Sequence, residues 1–412
     1  MTPGRFLFAA LAFHATLLFV TLGLARRWRA AARCRQPFGP WLRSLVGEAW
    51  HLAWIAYAAS LLAVVAANLS DLSDLRVGPV SFLLLSQALF AESVLVAAVL
   101  AVQHRRHRES WRAALFVAGA VAVAGVYWDA YHLEPRDLEV RRYVVDRTDG
   151  AEGGTTVRIL HLTDIQTPAI GEHEERALRE GLAYRPDLVV LTGDYVQDEL
   201  GRPTELRAAA DLRALMRRVG LFDVPLGVFA TEGDAGPPCR IVFAGTPVQC
   251  VVDRSVRVDL PGGDALSITG LSRGGGRLRD VARLVALVDA EPRVGHRIVI
   301  SHSPDFIDSV AGRAPIDLAL AGHTHGGQVV IPLLGPPKTA SRLPRLYAGG
   351  LHDYGGVPLH VSRGVGMERG FAPQLRFFCP PEIGILDLRL AAPDQRPASL
   401  ASSLFLRSSP HL

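Results

Sequence analysis

The stretch Asp317-Leu318-Ala319-Leu320-Ala321-Gly322-His323-Thr324-His325-Gly326-Gly327-Gln328 decides how this 412-residue chain is read. Its first half is an apolar run with the character of a buried strand. Its second half sets two histidines one residue apart among glycines. Along an extended backbone, residues i and i+2 project to the same side, so both imidazoles can face one site at the strand's carboxyl end. The glycines let the backbone turn and pack closely there. Two neutral imidazoles at such a point are good ligands for zinc, iron or manganese.

Three upstream runs end in the same way. Val157 to Thr163 leads into Asp164-Ile165-Gln166, Pro186 to Gly193 into Asp194, and Arg297 to Ser301 into His302. A single Asp after a strand is usually a helix cap or a turn residue. A series of ligand-type side chains at strand ends, separated by helical spacing, describes instead an α/β sheet with a site along its carboxyl edge. Residues 172–183, 205–219 and 278–288 carry the helical spacing. Gly262-Gly263-Asp264 reads as a hairpin turn between two strands, and the charged, then glycine-rich stretch 131–156 as a connection and edge hairpin.

This order of blocks resembles the calcineurin-like metallophosphoesterase superfamily, in its membrane-associated bacterial branch. The family's D-x-H, G-D, G-N-H, S-H and G-H-x-H blocks correspond to Asp164-Ile165-Gln166, Gly193-Asp194, Gly233-Asp234-Ala235, Ser301-His302 and Gly322-His323-Thr324-His325. Val361 to Gly366 and Pro381-Glu382-Ile383 continue the likeness, which covers roughly residues 155–390. The resemblance implies a four-layer α/β/β/α sandwich and a site for two divalent ions (manganese, iron or zinc). It implies that Asp194 bridges the two ions. Asp164, Gln166 and His325 would then complete the first shell, and Asp234, His302 and His323 the second. Asp194, His302 and His323 would be the catalytic residues. Such a pair of ions binds a phosphoryl group and generates a hydroxide nucleophile at neutral pH. Three positions depart from the family pattern. Gln166 offers an amide where the family has an imidazole, and Asp234 replaces an asparagine. Ala235 stands where the family has a histidine that donates a proton or contacts phosphate. A non-catalytic sensor or scaffold holding one metal or none is the alternative that Gln166 and Ala235 favour. His173 and His352 lie nearby in sequence and read as surface histidines.

Hydrophobic residues make up 49% of the chain and mean hydropathy is +0.21, both high for a soluble enzyme. The first third is responsible. Residues 6–25, 46–69 and 80–102 are apolar spans long enough to cross a bilayer, and 113–128 is a shorter fourth. Arginines 26, 27, 29, 33, 35 and 43 follow the first span, and 105, 106, 108 and 112 follow the third. The positive-inside rule makes both loops cytoplasmic, so four crossings leave the catalytic domain outside a bacterial inner membrane, and three leave it in the cytoplasm. His14 and Glu92 fall within apolar spans, where ionisable groups suggest either a role or hydrogen bonding inside a helix bundle. The chain divides into a membrane region (1–132), a linker and edge segment (133–155), the metallophosphoesterase domain (156–390) and a Pro/Ser/Ala-rich disordered tail (391–412). The net charge of +4 is almost wholly arginine, placed to orient helices and touch anionic lipid. No nucleic-acid motif or Walker loop occurs. The expected partners are the bilayer and a phosphorylated, lipid-linked or envelope substrate. Cys34, Cys239, Cys250 and Cys379 lack zinc-type spacing; Cys239 and Cys250 could form a disulfide in an exported domain or remain buried thiols.

Overall fold

The protein is described here by a computed structural model. It covers residues 101–102, 105, 110–148, 154–197, 202–261, 263–272, 281–289, 295–369 and 374–391. The apolar spans 6–25, 46–69 and 80–100, with His14, Glu92 and Cys34, lie outside these residues, as does the tail from 392 on. The chain falls into two units, Met1–Asp129 with Gly370–Gln374, and Ala130–Arg369 with Leu375–Leu412. In the first unit the fourth apolar span forms a helix, Ser110–Trp128. Its Trp111, Leu115, Val117, Val121, Val126 and Trp128 side chains are exposed. Among the described residues, no helix is long and apolar enough to cross a membrane.

Among the described residues, the second unit holds twelve strands in two sheets. The first contains β1 (Glu139–Arg147), β2 (Thr155–Leu162), β3 (Leu188–Leu191), β4 (Val228–Ala230), β5 (Gln249–Cys250) and β12 (Glu382–Leu390), in the order β1-β12-β2-β3-β4-β5. The second contains β6 (Arg254–Asp259), β7 (Ala265–Leu271), β8 (His296–Ser301), β9 (Leu318–Ala321), β10 (Gly350–Tyr354) and β11 (Val357–Val361), in the order β10-β11-β9-β8-β7-β6. Strands β2, β3, β4 and β5 run parallel, as do β7, β8, β9 and β11. Every residue of β3, β7, β8 and β9 is buried, as expected of parallel strands covered on both faces.

Alternation along the strands builds three apolar layers. Ile159, Leu188, Val190 and Phe229 of the first sheet meet Ile268, Ile298, Ile300, Leu318 and Leu320 of the second. Leu160, Val189 and Leu191 face outward onto Leu178 of the Glu172–Ala183 helix and Leu212 and Leu215 of the Arg202–Arg218 helix. Val299, Ala319 and Ala321 face the Val281–Asp289 helix and the short Ile307–Val310 turn. The result is two packed sheets with helices outside, the sandwich expected from the sequence. Turn chemistry accounts for the local starts: the Gly171 amide donates to the Glu174 carboxylate at 2.7 Å, opening the first of these helices with acidic residues in its positive first turn.

The stretch before β2 differs from the expected hairpin. β1 is an edge strand, but it pairs in parallel with β12, which lies between it and β2. A parallel partner more than two hundred residues away leaves no turn signal in the local sequence. β6 and β7 do pair as the hairpin expected around Gly263.

Candidate metal centre

The carboxyl ends of β2, β3, β4, β8 and β9 deliver their side chains to one place. The backbone there is unusual. Asp164, Gln166, Asp194, His323 and His325 all adopt left-handed conformations, with φ of 47°, 41°, 50°, 70° and 49°. Such conformations cost energy in residues with a Cβ and persist where surrounding structure over-determines them, commonly at functional sites. Close approach requires two glycines. A Cβ on Gly322 would lie 2.1 Å from Thr163 Oγ1 and 2.3 Å from Asp164 Oδ2, and one on Gly193 would lie 2.7 Å from His302 Nδ1.

Asp164, Gln166, Asp194 and His302 are almost wholly buried. His302 Nε2 stands 3.3 Å from Asp194 Oδ2 and 3.4 Å from Asp234 Oδ1. His323 Nδ1 is 3.1 Å from His302 Nε2 and 3.7 Å from Asp234 Oδ1. His325 Nε2 is 3.5 Å from Asp164 Oδ1. Two groups of potential ligands emerge, Asp164 with Asp194 and His302, and Asp234 with His302 and His323. His302 is common to both, whereas the family resemblance gives the bridging place to Asp194. Of the seven residues singled out in the sequence, Asp164, Asp194, Asp234, His302 and His323 fall in these groups; His325 stands beside Asp164, and the Gln166 backbone amide donates to the Asp194 carbonyl at 2.9 Å.

Three of the candidate ligands are held from behind. Asp194 Oδ1 accepts from the backbone amides of Asp234 and Ala235 at 2.7 and 2.8 Å, leaving Oδ2 toward His302. Asp164 Oδ2 accepts from Thr163 Oγ1 at 2.7 Å and the His323 amide at 2.9 Å. His302 Nδ1 donates to the Thr192 carbonyl at 2.8 Å, which fixes the ring and turns Nε2 to the carboxylates. Beneath, Thr192 Oγ1 meets His161 Nε2 at 2.9 Å, and His161 Nδ1 meets His360 Nδ1 at 2.9 Å. His161 and His360 are buried supports that the sequence did not mark, since each sits inside an apolar strand without a motif.

The electrostatics are those of a site that attracts cations. Burial pushes the Asp164 carboxyl up to about 7, His302 opposing and the Asp194 carboxylate reinforcing the shift. Burial works against charge on His302, but Asp194 and Asp234 overcome it and raise its pKa well above the ordinary value. His323 and His325 are pushed down by burial first, then by neighbouring positive groups. Asp164 Oδ1, Gln166 Oε1 and His325 Nδ1 are buried without a hydrogen-bond partner. An unsatisfied buried polar atom costs about 1–3 kcal/mol, a cost that a cation bound at Asp164 Oδ1 would remove there. Oxygen and imidazole donors in this mixture suit a divalent transition ion.

His173 bonds the Val365 carbonyl and His352 the Gly349 carbonyl, so both take part in loop structure. Ala235 occupies the expected position and presents only a methyl group. Cys239 and Cys250 are joined in a disulfide, resolving the two readings left open for them; Cys379 is free and buried.

No family model matches the chain. Over 220 residues it is 41% identical to the phosphodiesterase YaeI of Escherichia coli (strain K12), an alignment covering 52% of this chain and 74% of that protein. Over 290 residues it is 28% identical to the uncharacterized metallophosphoesterase YkuE of Bacillus subtilis (strain 168), covering 66% of this chain and 93% of that one. The UDP-2,3-diacylglucosamine pyrophosphatase LpxG of Chlamydia muridarum is 29% identical over 166 residues, 38% of this chain and 46% of that protein. With its ligand-type residues gathered at the strand ends of a two-sheet sandwich, the chain belongs to the calcineurin-like metallophosphoesterase superfamily, in the branch of YkuE and YaeI.

Proposed function

We propose that the protein is a membrane-anchored hydrolase that uses two divalent ions to cleave a phosphoester or pyrophosphate bond in a lipid-linked or envelope substrate. Its class, a phosphoester hydrolase, is that of its relatives. The observation that carries the two-ion reading is the gathering of Asp164, Asp194, Asp234, His302 and His323 into two ligand groups that share His302, with His325 Nε2 3.5 Å from Asp164 Oδ1. Asp164, Gln166 and His325 would hold one ion, Asp234, His302 and His323 the other, and Asp194 would lie between them. Manganese, iron or zinc so held supplies Lewis acidity toward a phosphoryl group and toward water.

The chain's own groups orient and expose this centre. The Asp234 and Ala235 amides fix one Asp194 oxygen, and the Thr192 carbonyl keeps His302 Nε2 directed inward. His323 and Asp234 retain partial solvent access, whereas Asp164, Asp194 and His302 are sealed, so substrate would approach on the His323 side. The lipid-linked substrate class draws support from the apolar spans, from the exposed apolar side chains of the Ser110–Trp128 helix and from the relative LpxG, a UDP-2,3-diacylglucosamine pyrophosphatase. The reading of the domain as extracytoplasmic, on a bacterial inner membrane, draws support from the arginine distribution and the Cys239–Cys250 disulfide.

Ala235 favours a second reading, a weakened or inactive sensor or scaffold domain, because a methyl group transfers no proton. Loss of such a donor is typically worth about 10²–10⁴-fold in rate. The two readings separate on the full chain in detergent, reloaded with manganese, iron or zinc. The enzyme reading predicts near two ions per chain and hydrolysis of p-nitrophenyl phosphate or its bis-ester, both lost together in Asp194→Ala. One ion or none without turnover would establish the scaffold. Unchanged metal content in Asp194→Ala would overturn the site assignment.

A further inference from the structure

Gln166 is the ligand position where this chain departs from its family's imidazole, and the structure shows how its amide is held. The side chain is wholly buried. Its Nε2 donates to Gln197 Oε1 at 2.9 Å and to Glu368 Oε2 at 3.2 Å. An ionised carboxylate only accepts, so the contact with Glu368 fixes which end of the amide is nitrogen. The other end, Oε1, is then the buried oxygen without a partner. The segment that brings Glu368 here is tied down on both sides: the Glu368 amide donates to Gln328 Oε1 at 2.5 Å, and Arg369 Nε donates to the Gln166 carbonyl at 2.8 Å. The same loop reaches the next ligand, with the Gly366 amide donating to the Asp164 carbonyl at 2.7 Å.

We propose that Glu368 and Gln197 are positioning residues that lock the Gln166 amide with its carbonyl oxygen presented to the metal site, making this position an oxygen-donor variant of the family's centre. The inference rests on the two-ion reading above. Its chemical consequence is a harder ligand set: oxygen from Asp164, Asp194 and Gln166 with one imidazole from His325 favours manganese over zinc relative to a set with two imidazoles. Groups that orient metal ligands typically change affinity by about 10–100-fold.

The test is manganese and zinc titration of the full chain in detergent by calorimetry, with Mn²⁺ electron paramagnetic resonance as a second readout. Glu368→Ala should weaken manganese binding by about 10-fold, and Glu368→Gln, whose amide oxygen still accepts, should recover most of it. In a Gln166→His background, Glu368→Ala should change affinity less than about 2-fold, because the amide it orients is gone. Gln166→His alone should shift preference toward zinc. Unchanged affinity in Glu368→Ala, or an equal loss in the histidine background, would overturn the inference while leaving the two-ion reading intact. A wild-type chain that binds neither metal would overturn both.

Discussion

Asp164 and His302 are poised to bind protons in the metal-free protein, and that gives the centre a pH signature. Asp164 titrates near 7 in the folded chain because burial disfavours its charge, above its ordinary value. His302 is also raised, by Asp194 and Asp234 against the opposing effect of burial. A raised folded pKa stabilises the fold below the unfolded value and loses that contribution as pH rises through the folded value. For Asp164 this loss runs from its ordinary carboxylate range up to about 7, and for His302 from the ordinary imidazole range upward. Metal ligation requires both groups to release those protons, so it grows stronger over the same range. The gap in Tm between metal-loaded and chelated protein should therefore widen as pH rises from about 5 to 8, where each bound proton is worth about 1.4 kcal/mol per pH unit. Paired thermal melts across that range measure it, and a gap that stays constant or narrows would show that these two groups are not ligands. At this scale the sequence marked the candidate ligands through their strand-end positions but not what holds them. Glu368 and Gln197 are far from Gln166 along the chain, and His161 and His360 lie in strands that read as ordinary apolar runs.

Among elements, the segment Ser362 to Gly366 after β11 is held by a residue that no motif marks. Arg376 is wholly buried, and its guanidinium donates to the carbonyls of Arg363, Gly364, Gly366 and Cys379 at 2.8, 3.2, 2.5 and 2.9 Å. The segment in turn donates from Val365 to the Thr163 carbonyl and from Gly366 to the Asp164 carbonyl, bracing the strained turn that carries the first ligand. Arg376→Met keeps the stem's apolar contacts and leaves buried carbonyls without donors. It should destabilise by roughly 3–5 kcal/mol and weaken metal binding with it. Thermal unfolding with and without manganese reads both effects; a Tm within about 2 °C of wild type would show that the clamp contributes little. Helix and parallel-strand elements were legible because their periodicity and burial are local properties of the sequence. The β1–β12 pairing was not, because its partners are chosen by the completed sheet.

At the scale of the whole molecule, the proposed membrane topology would decide where the chemistry takes place. With an even number of spans the domain and the N-terminus share a side; with an odd number they are opposed. By the positive-inside rule the arginine-rich loops after the first and third apolar spans would lie in the cytoplasm, and the fourth segment would then determine whether the domain returns outward. That segment forms the Ser110–Trp128 helix, which displays tryptophans near both ends and exposed valines and a leucine between them. As described, this helix is not by itself long and apolar enough to cross a membrane, so the arginine distribution is the first ground for an outward return. The Cys239–Cys250 disulfide supplies an independent argument, because cytosolic reductants keep such pairs as thiols. We propose on these two grounds that the domain lies outside the cytoplasmic membrane. A periplasmic-active reporter such as alkaline phosphatase, joined after residue 412, should be active, and a fluorescent reporter that matures only in the cytoplasm should be dark. Alkylation of unreduced protein from intact cells should leave Cys239 and Cys250 unmodified. The reverse pattern, a bright cytoplasmic reporter with both thiols alkylated, would place the centre on the inner face and redirect the substrate search to phosphoesters made in the cytoplasm.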